Sequence, residues 1–64
     1  MNDDSFINLP DGRIRVIDHD EVIYGHISFI TGTGYVYKPF SIYHPQYIMK
    51  MVWERLLKLT LEGE

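Results

Sequence analysis

The 64-residue sequence predicts an α+β fold, in which a three- to four-stranded antiparallel β-meander is packed on one face by a single C-terminal α-helix. Two periodicities predict it. Apolar residues recur at every second position from Arg13 to Phe40, which is the strand period, and at every third or fourth position from Gln46 to Leu61, which is the helix period. The period changes at Pro45, and proline is favoured at the first position of a helix.

Short polar segments divide the strand half into a meander. Pro10-Asp11-Gly12, Asp18-His19-Asp20 and Thr31-Gly32-Thr33-Gly34 have the composition of tight turns. Such loops are too short for parallel crossovers, so neighbouring strands should follow chain order. We predict a flexible N-terminus over 1–5, a single domain over 6–64, strands near 6–9, 13–18, 21–30 and 35–40, and a helix over about 45–61 that ends at Gly63.

Three residues mark special positions in these elements. Gly25 lies inside the longest strand, which indicates a bulge or the close approach of a neighbour. Pro39 cannot donate a ladder hydrogen bond and favours an edge strand or a strand end. His44 precedes Pro45 and is expected at the helix N-cap or packed in the loop before the helix.

Alternation along the strands assigns their side chains to two faces of the sheet. The face expected to form the core carries Ile14, Val16, Ile23, Ile27, Phe29, Val36 and Phe40. The face expected to meet solvent carries Arg13, Arg15, Tyr24, His26, Ser28, Tyr35 and Tyr37.

The helix is more apolar than one sheet face requires. Ile48, Met51, Val52, Leu56 and Leu59 form the stripe that we expect to lie on the sheet. A second line follows on the helix flank and consists of Met49, Trp53 and Leu57, with Leu61 beyond it. This second line is interpreted in two ways: Phe6 and Leu9 cover Trp53, or the line is a surface for a protein partner.

Composition narrows the class of protein. The chain has no cysteine, so disulfides and thiolate metal sites are excluded. A domain of this size has a small core, and association with a partner is one way to stabilise it. The absence of an apolar run long enough for a membrane span or a leader leads us to expect a cytoplasmic, soluble protein.

Candidate chemistry in the sequence is sparse. The turn Asp18-His19-Asp20-Glu21 could hold a hard cation, but consecutive turn residues point in different directions, and a solvated acidic turn is the preferred interpretation. Thr31-Gly32-Thr33-Gly34 lacks the lysine of a phosphate-binding loop. We therefore expect no enzyme, cofactor, metal or small-molecule substrate.

The leading functional hypothesis is a protein-interaction or regulatory module that self-associates as a homodimer. A phage or mobile-element accessory protein that binds a host or partner protein is one source that we consider. The candidate interaction residues are Met49, Trp53, Leu57 and Leu61.

The alternative hypothesis is a sheet face that binds DNA. A small antiparallel sheet backed by one C-terminal helix resembles the architecture of the plant AP2-type and phage-integrase amino-terminal DNA-binding modules, which insert the sheet into the major groove. The formal charge of −3 disfavours nucleic acid, because phosphate binding depends on clustered cations. The candidate recognition residues of this face are Arg13, Arg15, Tyr24, His26, Tyr35, Tyr37 and Lys38.

Overall fold

A four-stranded antiparallel sheet followed by one helix makes up the fold, as the sequence predicts. The computed structural model describes residues 5–62. The strands lie side by side in chain order, and β4 is one of the two edges, in agreement with the position expected for Pro39. The elements are β1 (Phe6–Asn8), β2 (Ile14–Ile17), β3 (Ile23–Ile30), β4 (Gly34–Pro39) and α1 (Gln46–Glu62). The helix stop predicted at Gly63 and residues 1–4 of the predicted flexible N-terminus lie outside this range, whereas Ser5 lies within it and its carbonyl accepts from Ile17 N at 2.9 Å.

The turns use the residues that their geometry requires. Gly12 has a φ of 91°, a left-handed conformation that glycine adopts without steric cost, and its N–H donates to Leu9 O at 3.0 Å. The Asp11 carboxylate accepts from the backbone N–H and from the Nε of Arg13, at 3.1 and 2.8 Å. These contacts close the first hairpin and fix the register of β1 on β2.

The core forms where β2 and β3 face the helix. Ile14, Val16 and Ile27 are buried on the sheet, and Ile48 and Val52 are buried on the helix. The predicted helix stripe is confirmed, since Met51, Leu56 and Leu59 pack around this cluster. The helix therefore covers one face of the sheet, and the opposite face, which we call the outer face, carries no helix.

The alternation predicted for β4 is wrong by one residue. Phe29 pairs with Tyr35 and Ile27 pairs with Tyr37, and paired residues of an antiparallel sheet point to the same face. Tyr35 and Tyr37 consequently pack against the core, whereas Val36 lies on the outer face. A slip of one residue exchanges the two faces of a whole strand.

A β-bulge reverses the prediction for the start of β3. The register shifts between Val16 and Ile17, so that Val16 pairs with Gly25 and Ile17 pairs with Ile23. Tyr24 is the extra residue on β3 and packs against the core instead of facing solvent. Ile23 was expected in the core and is exposed on the outer face with its partner Ile17.

Two phenylalanines that were expected in the core are largely exposed. Phe40 contacts the ring of His26 on the outer face, with ring centroids 5.0 Å apart. Phe29 lies on the helix side and contacts the ring of Tyr35, but it lies near the end of β3, where the core does not cover it. The buried core is accordingly smaller than the sequence pattern predicts.

The helix begins one residue later than predicted. Pro45 O accepts from Ile48 N at 3.0 Å and from Met49 N at 3.3 Å, so Pro45 has the backbone role of the N-cap. His44 is not the cap. Its imidazole packs between Tyr24 and Tyr37, with ring centroids 5.7 Å from each, which matches the other interpretation of this residue.

Candidate functional site

The apolar line on the helix flank is exposed. We call Met49, Trp53, Leu57 and Leu61 the Trp53 flank; they are 45, 69, 53 and 72% exposed, respectively. Phe6 and Leu9 therefore do not cover Trp53. Phe6 instead lies under the guanidinium of Arg55, whose Cζ is 4.8 Å from the ring centroid. The interpretation in which other residues of the chain cover this line is therefore wrong.

The loop before the helix extends this apolar surface. Ile42 is 103% exposed, and it lines a groove of about 410 Å³ together with Met49. Tyr37, Pro39, Ser41 and His44 complete the lining. Ile42 and Met49 thus border one concave surface, which joins the loop to the N-terminal end of the Trp53 flank.

A row of alternating charge borders the Trp53 flank. Lys50, Glu54, Lys58 and Glu62 follow one another at intervals of four residues, each directly after one member of the flank. All four are exposed. This helix surface therefore presents an apolar line beside a line whose charges alternate as plus, minus, plus, minus.

Basic side chains form a row across the outer face. Arg15 pairs with His26, and His26 pairs with Lys38, so three neighbouring strands place these side chains directly beside one another. Neighbouring strands lie about 4.8 Å apart, which places Arg15 about 10 Å from Lys38. Arg13, the residue before β2, follows the same alternation, but its Nε is 2.8 Å from the Asp11 carboxylate. We call Arg15, His26 and Lys38 the basic row.

Burial and neighbouring charge disfavour the protonation of His26. Burial lowers the pKa of His26, and the positive charges of Arg13 and Arg15 lower it further, against an opposing effect of Asp11. Arg15 Nε and His26 Nε2 are buried within residues 5–62 and have no hydrogen-bond partner there. The outer face therefore contains two adjacent polar groups that are left without partners.

The three tyrosines predicted on the outer face lie on the core side. Tyr37 Oη donates to Tyr24 O at 3.1 Å and lies 2.8 Å from His44 Nε2. In the His44 tautomer that carries its hydrogen on Nε2, this nitrogen donates to Tyr37 Oη while Tyr37 donates to Tyr24 O, and both bonds are satisfied. These contacts join β3, β4 and the loop before α1, so Tyr24 and Tyr37 support the fold.

Asp18 belongs to the same side of the molecule and is buried, contrary to the expected solvated turn. Its Oδ1 accepts from the N–H groups of Asp20 and Val22 at 2.9 and 3.0 Å, and its Oδ2 accepts from Tyr24 Oη at 3.2 Å. Burial acts to raise the pKa of Asp18, but these hydrogen bonds outweigh it and hold the pKa below its usual value. Burial and the Asp18 carboxylate raise the pKa of Tyr24 to about 12.

Acidification is expected to destabilise the fold through Asp18. Because the folded state lowers the pKa of this carboxyl, its contribution is fully present above the unfolded-chain pKa of about 3.9 and is lost as the pH falls through the lower folded-state pKa. Urea midpoints measured from about pH 7 to about pH 2 should therefore depend less on pH in Asp18→Asn than in the parent chain. Asp20→Asn removes an exposed carboxylate from the same turn and serves as the control. Equal pH dependence in the parent chain and Asp18→Asn would contradict this role.

Other kinds of site have little support in the described residues. Within residues 5–62, no group of three or more His, Cys, Asp or Glu side chains is placed to hold a metal ion. The carboxylate of Asp18 is already engaged by its own turn and by Tyr24. Within residues 5–62, no helix combines the length and the apolar character that a membrane span requires.

The contacts of Asp18, Tyr24, Tyr37 and His44 were missed by sequence reasoning. They join positions up to 20 residues apart, and a single sequence shows no spacing that would indicate them. Comparison with protein-family models, curated proteins and solved structures found no match. The candidate surfaces are accordingly the Trp53 flank and the basic row, and both are defined by the geometry of this chain.

Proposed function

We propose that this chain is a small protein-interaction module of a regulatory kind, without enzymatic activity, and that its first partner is a second copy of itself. The observation that carries the proposal is the 69% exposure of Trp53. Trp53 lies at the centre of an apolar line on a helix whose other apolar face already packs on the sheet. Tryptophan is the residue type most enriched among the anchors of protein interfaces. An exposed apolar line of this kind is typical of a binding surface.

The Trp53 flank is complementary to itself in an antiparallel arrangement. If the two-fold axis lies midway between Trp53 and Leu57, Trp53 faces Leu57 of the second copy and Met49 faces Leu61 of the second copy. A two-fold dimer uses the same patch on both chains, so it requires a surface that matches its own reversed copy. Residues spaced by four along one helix meet this requirement.

The charged row supports the same arrangement. In antiparallel helix pairing, a flanking row faces its own reversed copy, which places Lys50 near Glu62 and Glu54 near Lys58 of the second copy. Because the signs alternate at intervals of four residues, each of these pairs joins a positive and a negative side chain. Exposed ion pairs add little affinity, but they fix orientation and suppress other alignments.

The small core gives association a second role. Five apolar side chains are buried within residues 5–62, and the chain has no disulfide to reinforce them. Domains of this size commonly gain stability from metals, disulfides or oligomers. Covering the Trp53 flank would add buried apolar surface that the monomer lacks.

Self-association is tested by sedimentation equilibrium and by the fluorescence of Trp53, the single tryptophan of the chain. We expect a monomer–dimer equilibrium and a blue shift of the emission as the protein concentration rises. Trp53→Ala should weaken the dimer by about 30-fold or more, the cost of losing an interface anchor. A chain that stays monomeric up to about 1 mM, where association would amount to only about 4 kcal/mol, would refute the proposal.

The antiparallel register has its own test. Lys58→Glu places a carboxylate opposite Glu54 of the second copy. The two-fold symmetry repeats this repulsion, so the variant should associate more weakly at low salt. Adding Glu54→Lys exchanges the two charges and should restore association, because each position again faces the opposite sign. A double variant that associates as weakly as Lys58→Glu alone would exclude this register while leaving self-association itself intact.

A further inference from the structure

We propose that the outer face of the sheet binds single-stranded nucleic acid, with backbone phosphates on the basic row and a base stacked on Phe40. The basic row is set by strand pairing, because Arg15, His26 and Lys38 are direct neighbours on β2, β3 and β4. The tyrosines that sequence alternation placed on this face lie on the core side. The outer face instead carries Arg15, His26 and Lys38 side by side and the exposed ring of Phe40.

Unpartnered polar atoms provide the second observation. Arg15 Nε and His26 Nε2 are both buried, and neither has a hydrogen-bond partner in the part of the chain that the structure describes. Buried polar groups in folded proteins are nearly always paired with protein, water or ligand. Both atoms are covered by the protein, so a phosphate oxygen would accept from them only once the two side chains turn outward, and a guanidinium is the side chain best suited to phosphate.

Arg15 is placed in an amphipathic setting. It borders a hollow of about 350 Å³ whose other walls are Ile7, Ile17, Ile23 and Glu21. The isoleucines provide an apolar wall beside the aliphatic part of the arginine, and long basic side chains pack on such surfaces while their charged ends reach the solvent. Glu21 limits the affinity for an anion on this side, so the row from Arg15 towards Lys38 is the favourable direction.

Phe40 distinguishes nucleic acid from other anionic ligands. Phe40 is 62% exposed, and its ring makes a T-shaped contact with the ring of His26. It follows Lys38 by two residues, so the two side chains lie on the same face. Proteins that bind single strands combine cations that follow the backbone with aromatic rings on which bases stack. Duplex DNA keeps its bases stacked on one another, and the Asp and Glu side chains of an acidic peptide have no ring to stack, so the single strand fits this combination best.

The number of cations sets a modest affinity. Arg15 and Lys38 are charged, whereas burial and the nearby arginines lower the pKa of His26, so we count two cations in the row. Two phosphate contacts on a single strand give a slope of about −1.4 in log K against log salt, which is about a 25-fold loss of affinity for a tenfold rise in salt. The outer face and the Trp53 flank are different surfaces of the molecule, so this inference does not depend on self-association.

The test is fluorescence anisotropy with a labelled oligothymidylate of about 12 nucleotides at about 20 mM and about 200 mM salt. We expect salt-sensitive binding of the parent chain. Arg15→Gln combined with Lys38→Gln should weaken binding at least tenfold and flatten the salt dependence. Phe40→Ala should weaken binding several-fold and leave the salt dependence unchanged, because stacking involves no counterion release.

Matched controls decide the assignment. Lys38→Gln and Lys50→Gln remove the same charge from exposed positions on the outer face and on α1, and Lys38→Gln keeps the test valid if the change at Arg15 unfolds the chain. Absence of binding at about 20 mM salt, or equal losses in Lys38→Gln and Lys50→Gln, would overturn the proposal. Equal or tighter binding of polyglutamate or of a duplex of the same length would also overturn it, in favour of an acidic protein or of duplex DNA.

Discussion

Ile27→Ala is expected to destabilise the protein by about 2 to 5 kcal/mol, the range observed when large core side chains are truncated. Ile27 is fully buried in β3 and lies between Ile14 of β2 and Tyr37 of β4. The core cluster to which it belongs also includes Val52 of α1. Removing three carbons at this point leaves a cavity that the central strand of a small sheet cannot easily close. Urea unfolding followed by circular dichroism measures the loss.

Ile42→Ala is the matched control for this prediction. It deletes the same atoms from a side chain that is 103% exposed, so it should change the unfolding free energy by less than about 0.5 kcal/mol. Domains of this size have a total stability of about 3 to 10 kcal/mol, and Ile27→Ala should therefore remove a large share of the free energy of unfolding. Similar losses in the two variants would show that the core is not centred on Ile27.

Periodicity predicted the type of every element but did not determine which face β4 presents. Tyr35, Val36 and Tyr37 are consecutive residues of high β propensity, so apolar alternation within β4 has no defined phase. The hairpin determines it, because Ile30 pairs with Gly34 and the strands continue from that pair. The length of the loop therefore determines which residues of β4 face the core, and the hydrophobicity of the strand does not.

The helix was predicted more accurately than the sheet, for a physical reason. A helix face is defined by many residues at fixed angular steps, so a single ambiguous residue does not alter it. The stripe on the sheet and the separate line of Met49, Trp53 and Leu57 could both be assigned from spacing alone, whereas the exposure of that line is a finding of the structure. Arg15, His26 and Lys38 were also predicted as candidates of one sheet face, but their side-by-side order was not, because it depends on the pairing of three strands, one of which contains the bulge at Tyr24.

Gly25 is connected with both errors of the sheet prediction, the face of β4 and the bulge at Tyr24. The sequence indicated a bulge or the close approach of a neighbour at this residue, and the structure shows the bulge directly before it and the neighbour over it. A Cβ atom at Gly25 would lie 2.5 Å from Lys38 O and 2.8 Å from both Cε1 and Oη of Tyr37. The ring of Tyr37 lies over the glycine only because the β4 register turns it towards the core. Its hydroxyl then reaches Tyr24 O, which the bulge brings within range.

Gly25→Ala should accordingly destabilise the protein by about 3 kcal/mol, at the upper end of typical overpacking costs. The added methyl group meets a backbone carbonyl, which cannot rotate away, and it displaces Tyr37 from its contacts with Tyr24 O and His44 Nε2. In a double-mutant cycle with Tyr37→Ala, the cost of Gly25→Ala should fall but not vanish, since the clash with Lys38 O persists. Ser28→Ala, on the outer face of the same strand, is the control. Additive losses in the cycle would mean that Tyr37 does not lie over Gly25 in solution, and the inward orientation of β4 would then have to be abandoned.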